Sequence, residues 1–180
     1  TRYRTALIEE RSAEVHRVQK PLEGANSKLA AVATDVLGRS GRAILEALVA
    51  GQSDPHELAD LAKGRLRAKL PALERALAGQ VGPHHRFLLA RQLAHRDELA
   101  SLIAEVSAEI AERLRPAEEA LTQLDTIPGV GRRTAEILVA ELGTDMRPFR
   151  TARHLASWTG MCPGNDESAG KRRTGRTRKG

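Results

Sequence analysis

Apolar residues recur along this chain at steps of three and four, the spacing that places them on one face of an α-helix. The longest such stretch follows Pro83. Its apolar positions are Leu89, Leu93, Leu99, Ile103, Val106, Ile110 and Leu114. No run of alternating apolar and polar residues is long enough for a sheet. The pattern therefore predicts an all-α protein.

The stretch after Pro83 predicts an amphipathic helix of about twenty-five residues or more, which needs a long partner to cover its apolar stripe. The first segment of the chain, which we expect to end at Pro21, is one candidate and would give an antiparallel coiled-coil-like pair. A second copy of the chain and an ordinary helix bundle are the alternatives. Glycine and proline signals between Gly38 and Gly79 predict short helices that form a small helical insert.

A turn signal interrupts the helical pattern after Leu124. Ile127 is followed there by a Pro-Gly-Val-Gly string and then by two arginines. Two helices joined by this turn form a helix-hairpin-helix, with Ile127 and Val130 expected to anchor the turn on the helices. Glycines let a phosphate approach closely, and free N–H groups at a helix start bind its oxygens without reading base identity. A glycine-rich turn with no ligand is the alternative. The predicted DNA-binding residues here are Pro128, Gly129, Val130, Gly131, Arg132 and Arg133.

The net charge of +6 arises at the C-terminal end of the chain. Residues 1–125 carry 18 basic and 18 acidic side chains, whereas residues 126–180 carry 11 basic and 5 acidic ones. A neutral body with a basic end indicates contact with a polyanion, although a tail that only keeps the protein soluble has the same composition. Aromatic residues make up 2% of the chain, which argues against modules that stack bases on aromatic rings. The predicted DNA-binding residues of the tail are Lys171, Arg172, Arg173, Arg176, Arg178 and Lys179.

Two further features lie near this basic run. Thr151 is expected to cap a short helix whose Trp158 faces the core. Ser168 directly precedes the run, and a serine becomes a nucleophile only where a base removes its proton and nearby charge stabilises the product. On spacing alone, a turn residue is the simpler interpretation of Ser168. The single cysteine, Cys162, excludes an internal disulfide and indicates a reducing cytoplasm.

Three sequence strings in the C-terminal part of the chain carry a resemblance to one protein family. They are Ile127–Gly131, Phe149–Gly160 and Glu167–Arg173. Together they closely resemble the C-terminal transposase domain of the IS110, IS116 and IS902 class of bacterial insertion-sequence transposases. The stretches Gly38–Ala43 and Leu61–Gly64 resemble the helical linker of the same family. The resemblance implies a helical or coiled-coil linker over residues 1–115 and a C-terminal transposase domain over residues 116–180.

Members of that family recombine DNA under the guidance of a structured bridge RNA. The resemblance implies that Ser168 attacks the DNA backbone and forms a covalent intermediate. It implies DNA and a structured guide RNA as partners, a homo-oligomer formed through the long helices, and a location in the bacterial cytoplasm at the nucleoid. We expect no metal ligands and no cofactor in this chain and no membrane contact. Divalent metal, Mg²⁺, is expected in a RuvC-like domain that precedes the linker in the family.

The chain departs from the family pattern in two ways. It has no β-rich segment with spaced acids that would form a RuvC-like domain, so we expect a piece of a longer protein that binds nucleic acid without strand transfer. Ala169 stands where the family usually has a second glycine. The alternatives are a non-catalytic helix-hairpin-helix module of a repair or recombination factor, which needs no Ser168, and a structural helical protein with a solubilising tail.

Overall fold

The computed structural model describes residues 1–160 and 166–174, and for residues 166–168 and 172–174 it describes the backbone only. Most of this part of the chain is helical, which confirms the predicted helical class. The α-helices are α1 (Arg2–Gly24), α2 (Leu29–Val32), α3 (Arg39–Ala50), α4 (Pro55–Asp60), α5 (Leu70–Leu77), α6 (Pro83–Leu114), α7 (Glu118–Asp125), α8 (Arg132–Leu142) and α9 (Ala152–Trp158). Short 3-10 helices cover Gly64–Lys69 and Arg115–Ala117.

Two short strands, β1 (Asp166–Ser168) and β2 (Lys171–Thr174), pair as an antiparallel hairpin. The expectation that the chain has no sheet is wrong at this point. Strands of three and four residues are too short to show the alternation by which a strand is recognised in a sequence.

The chain forms two compact units, Thr1–Ala111 and Glu112–Gly180. In the first unit, α1 and the long helix α6 run antiparallel. Leu7 near the start of α1 packs with Leu99 and Ile103, whereas Val18 near its end lies in one cluster with Leu89. Residues later in α1 thus lie with residues earlier in α6, which is the antiparallel arrangement predicted for this pair of helices. The knobs-into-holes packing of a coiled coil stays a prediction.

The short helices of the first unit form the insert around one apolar core. The side chains buried there include Leu29, Ile44, Leu45, Leu48, Leu58, Leu73 and Leu77. Asp54 caps α4 by accepting a hydrogen bond from the His56 N–H at 2.8 Å, and Pro55 occupies the first helical position. Pro21 does not end α1, because the helix continues to Gly24 with the proline buried in its last turn. A proline inside a helix removes one hydrogen bond and crowds the carbonyl four residues earlier, yet this helix continues for three residues beyond it.

The second unit has a smaller core in which α7 packs on α8. Leu121, Ala135 and Val139 are buried in it. Thr151 caps α9 as predicted, since its side chain accepts from the His154 N–H at 3.3 Å. Trp158, which we expected in the core, is 58% exposed, and no residue of α9 is buried in the described part of the chain.

Candidate nucleic-acid interface

The turn between α7 and α8 has the geometry that its proline and glycine require. The Val130 N–H donates to the Ile127 carbonyl at 2.9 Å and closes a β-turn over the two residues between them. Pro128 occupies the second position of this turn, where its ring fixes a suitable φ. Gly129 occupies the third position with φ +87°, which glycine adopts without steric cost. The local sequence therefore dictates a type II turn.

Helix α8 begins directly after this turn without a capping side chain. Gly131 is the N-cap residue, with extended backbone at φ −85° and ψ 169°. The first intrahelical hydrogen bond runs from the Ala135 N–H to the Gly131 carbonyl at 3.1 Å. The N–H groups of the three residues before Ala135 thus point out of the helix end, at the positive pole of its dipole.

The two glycines that precede these N–H groups have open space beside them in the described part of the chain. A Cβ atom built at Gly129 or at Gly131 would have no described heavy atom within 4 Å. We call residues 128–133 the hairpin site. Within the described part of the chain it combines backbone donors without a partner, a helix dipole and free space, the combination that suits an anion such as a phosphate.

The two arginines of the hairpin site have different surroundings. Arg132 donates two hydrogen bonds to the Glu118 carboxylate, at 2.5 and 2.6 Å, and its Nε lies 3.4 Å from Glu136 Oε1. The hydrogen bonds to Glu118 raise the pKa of Arg132, and the same bonds lower the pKa of Glu118. Arg132 therefore ties the start of α7 to the start of α8. Arg133 is exposed, and no ion pair involves it within the described part of the chain.

The apolar residues of the turn also differ from each other. Val130 packs against the core of the second unit, as predicted. Ile127 is 48% exposed, so the expectation that it anchors the turn is wrong. Its carbonyl rather than its side chain contributes to the turn, through the bond from the Val130 N–H.

The predicted nucleophile, Ser168, is the last residue of β1. The register pairs Ser168 with Lys171 across a two-residue loop, and Glu167 with Arg172. Both loop residues have left-handed backbone, Ala169 at φ +52° and Gly170 at φ +73°, as in a type I′ hairpin. This hairpin thus brings the backbone of the serine next to the start of the basic run, and Lys171 is exposed there.

The structure describes the remaining predicted site residues only in part. Arg173 lies in β2, where the backbone is described. Arg176, Arg178 and Lys179 lie outside the described residues, as does Cys162. The sequence pattern does not indicate Glu118 as a partner for Arg132, because the two lie 14 positions apart on different helices and only the packing of α7 on α8 brings them together.

Neither a metal cluster nor a membrane helix is found in the part of the chain that the structure describes. No three His, Cys, Asp or Glu side chains in residues 1–160 and 166–174 gather closely enough to hold a metal ion. None of the described helices has the length and apolar character needed to cross a bilayer.

Comparison with known proteins gives two matches. Residues 121–180 match the family model described as Transposase IS116/IS110/IS902 family. The chain is 29% identical over 166 residues to a "Probable family 20 transposase" of Pseudomonas aeruginosa, an alignment that covers 89% of this chain and 43% of the relative. This chain therefore spans less than half the length of that relative. No solved structure matches the chain. The resemblance predicted for the C-terminal part of the chain is confirmed, because residues 121–180 are similar to the IS116/IS110/IS902 transposase family.

Proposed function

We propose that this chain is the nucleic-acid-binding part of an insertion-sequence transposase, with a linker over residues 1–115 and a transposase domain over residues 116–180. The observation that supports DNA binding best is the hairpin site. Its glycines leave open space, and the start of α8 has no capping side chain. A DNA phosphate at this helix start would accept hydrogen bonds from backbone N–H groups, which position the strand without reading its sequence.

The charges near the hairpin site fit this proposal. Arg133 is exposed beside the uncapped helix start, where it adds a charge-assisted contact to a phosphate. Arg132 holds the two helices in place through Glu118 and thereby fixes the direction of the N–H groups. The basic run from Lys171 onward would follow the backbone of the same nucleic acid and make binding strongly dependent on salt.

We further propose that Ser168 is the nucleophile of strand cleavage in the full-length protein. Its Oγ would form a bond to a backbone phosphorus, and the bond from that phosphorus to one sugar oxygen would break. The hydroxyl proton would pass to a base, and the departing sugar oxygen would take up a proton. The place of Ser168 in the hairpin, opposite Lys171 in the register, supports this role, because a nearby cation stabilises the charge on a reacting phosphate.

Three further parts of the proposal concern the full-length protein. A structured RNA would guide it to its target, the long helices would join copies of the chain, and a RuvC-like domain would hold Mg²⁺.

Covalent capture tests the nucleophile. The full-length protein is incubated with labelled donor DNA and guide RNA, quenched in detergent, and examined for a protein–DNA adduct on a denaturing gel. We expect an adduct that maps to Ser168 and is absent from Ser168→Ala. Ser157→Ala is the matched control, because Ser157 is an exposed serine of the same unit, in α9. An adduct that persists in Ser168→Ala contradicts the assignment.

Salt dependence separates DNA binding from the alternatives. If six or so phosphates are neutralised, a plot of log affinity against log salt has a slope of about −5. A flat plot would indicate a structural protein with a solubilising tail. The expected slope together with no adduct under any condition would favour a non-catalytic helix-hairpin-helix module.

A further inference from the structure

A basic cleft lies in the first unit, and its residues are distant in sequence from the hairpin site. Its volume is about 500 Å³, and it is lined by residues from the end of α2, the α2–α3 connection, the start of α3 and the stretch 63–69. Four of the lining side chains are cationic, and one is acidic. The cations are Arg39, Lys63, Arg65 and Lys69, and the acid is Asp35. We call this the linker cleft.

The packing of the first unit brings these charges together from separate parts of the chain. Ser40 Oγ accepts a hydrogen bond from the Lys63 N–H at 2.9 Å and donates to the Lys63 carbonyl at 3.4 Å. Gly41 lets α3 lie directly against the loop before it, since a Cβ there would come within 2.1 Å of the Val36 carbonyl oxygen. The hydrogen bonds of Ser40 thus join the two walls of the linker cleft, and the close contact at Gly41 fixes the α3 side of it.

In the described part of the chain, ion pairs do not neutralise the cations of the linker cleft. Within the described part of the chain, no ion pair involves Arg39, Lys63 or Arg65, and all three are exposed. Asp35 accepts from the Leu37 N–H at 3.0 Å, and Lys69 Nζ donates to a backbone carbonyl, that of Val32, at 3.4 Å.

A neighbouring arginine shows that the same segment also carries a paired charge. Arg67 donates to Asp60 at 2.7 Å and does not line the cleft. The cleft side of the segment therefore keeps its charges available, at a cost in mutual repulsion that a bound polyanion would relieve.

The start of α3 adds to the positive potential. This helix has 12 residues, Gly38 at its N-cap offers no side-chain oxygen, and its first intrahelical bond runs from the Arg42 N–H to the Gly38 carbonyl at 2.7 Å. The earlier N–H groups of the helix lie beside Arg39, at the positive end of the helix dipole.

We propose that the linker cleft binds the phosphodiester backbone of a nucleic acid, as a second contact besides the hairpin site. This inference rests on the proposed function for the class of polyanion. A backbone fits better than a free base, because none of the described residues that line the cleft is an aromatic on which a base could stack. RNA and DNA share this chemistry, and the experiment separates them.

The test compares two triple variants of the whole chain with the same change of charge. The cleft variant is Arg39→Gln, Lys63→Gln and Arg65→Gln. The control variant replaces three exposed basic residues of the first unit that do not line the cleft. Its changes are Lys28→Gln, Arg75→Gln and Arg91→Gln. Circular dichroism melts confirm that both variants fold like the unaltered chain.

Binding is measured by fluorescence anisotropy with a labelled RNA hairpin and, separately, a labelled DNA duplex over a range of salt. If the three cations each contact a phosphate, the cleft variant loses about 2 to 3 units of the salt slope and about 10- to 100-fold in affinity near 0.1 M salt. The control variant should lose far less. A loss with the RNA probe alone assigns the cleft to RNA, and a loss with the DNA probe alone assigns it to DNA.

Two outcomes overturn the inference. If the cleft and control variants bind both probes equally well, the linker cleft is only a solvated surface. Arg133→Gln, measured in parallel, then shows whether the hairpin site still contributes, and a loss there would leave the proposed function standing. If the unaltered chain binds neither probe, the proposed function and the cleft inference fall together.

Discussion

A capping side chain at Gly131 should stabilise α8 and weaken nucleic-acid binding at the same time. Gly131 is the N-cap residue with extended backbone, and a Cβ there meets no described atom within 4 Å. Serine or aspartate therefore fits without strain. Its side-chain oxygen would accept from the N–H of Arg133 or Thr134, the position that a phosphate oxygen occupies in the proposed complex.

The two effects have opposite signs and different sizes. Replacing glycine by serine at an N-cap stabilises a protein by a few tenths of a kcal/mol, roughly 0.3. Aspartate adds an attraction to the helix dipole of about 0.3–1 kcal/mol. A hydrogen bond from a backbone N–H to a charged phosphate contributes about 1.5–3 kcal/mol, and its loss corresponds to about 10- to 100-fold in Kd. Aspartate should weaken binding more than serine because it also repels the phosphate.

Urea unfolding and anisotropy binding at constant salt measure the two effects on the same samples. Gly131→Ala controls for the added methyl group, since it brings no oxygen and should not gain stability. Thr144→Asp controls for the added charge, because Thr144 is an exposed residue of the same unit outside the hairpin site. If Gly131→Ser and Gly131→Asp are more stable yet bind duplex DNA as tightly as the unaltered chain, the start of α8 is not a phosphate site.

Three shorter predictions concern the framework of the two units. Gly41→Ala should destabilise the first unit by about 1–3 kcal/mol in urea unfolding, because the new Cβ would lie 2.1 Å from the Val36 carbonyl oxygen; a gain in stability would contradict the close packing. Ala169→Gly should slow amide exchange in the β1–β2 hairpin, because alanine at φ +52° costs about 1 kcal/mol; faster exchange would argue against the type I′ loop. Arg132 lowers the pKa of Glu118, so the stability that this pair contributes is present above the pKa of the unfolded chain and is lost as the pH falls through the lower folded pKa. Thermal melts from neutral to acid pH should show a shallower acid loss for Glu118→Gln, and an unchanged profile would contradict this.

The features that sequence predicted well are set by the residues at the position itself. A proline followed by a glycine at Pro128 specifies the type II turn, because the proline ring fixes one φ and glycine alone adopts the next one freely. Asp54 and Pro55 specify the start of α4 in the same way. The long apolar stripe specifies α6 because its spacing repeats over many turns of helix.

The features that sequence missed depend on packing between distant segments. Trp158 is the kind of residue that usually fills a core, but α7 and α8 already form the core of the second unit, and α9 places Trp158 edge-on to Phe149 at 5.8 Å between ring centres. The β1–β2 hairpin turns through Ala169, a residue that rarely adopts a left-handed backbone, so local preference gave no signal for it.

The number of charged residues in a sequence segment does not by itself predict whether the segment binds a polyanion. Residues 1–125 balance in total, yet the fold sorts their charges into two groups. Arg42 is bound by both oxygens of Asp97 at 2.6 and 2.8 Å, and Arg67 is bound by Asp60, so these cations are neutralised within the first unit. Arg39 and its neighbours in the linker cleft have no such partner among the described residues.

Paired and unpaired charges also lie side by side at the hairpin site, where two adjacent arginines contribute the same charge to the sequence. One of them is held by Glu118 and supports the fold, and the other, Arg133, remains exposed. The quantity that matters for a polyanion is therefore the charge left unpaired on one surface. By that measure we propose two surfaces for nucleic acid, because the neutral total of residues 1–125 conceals the linker cleft.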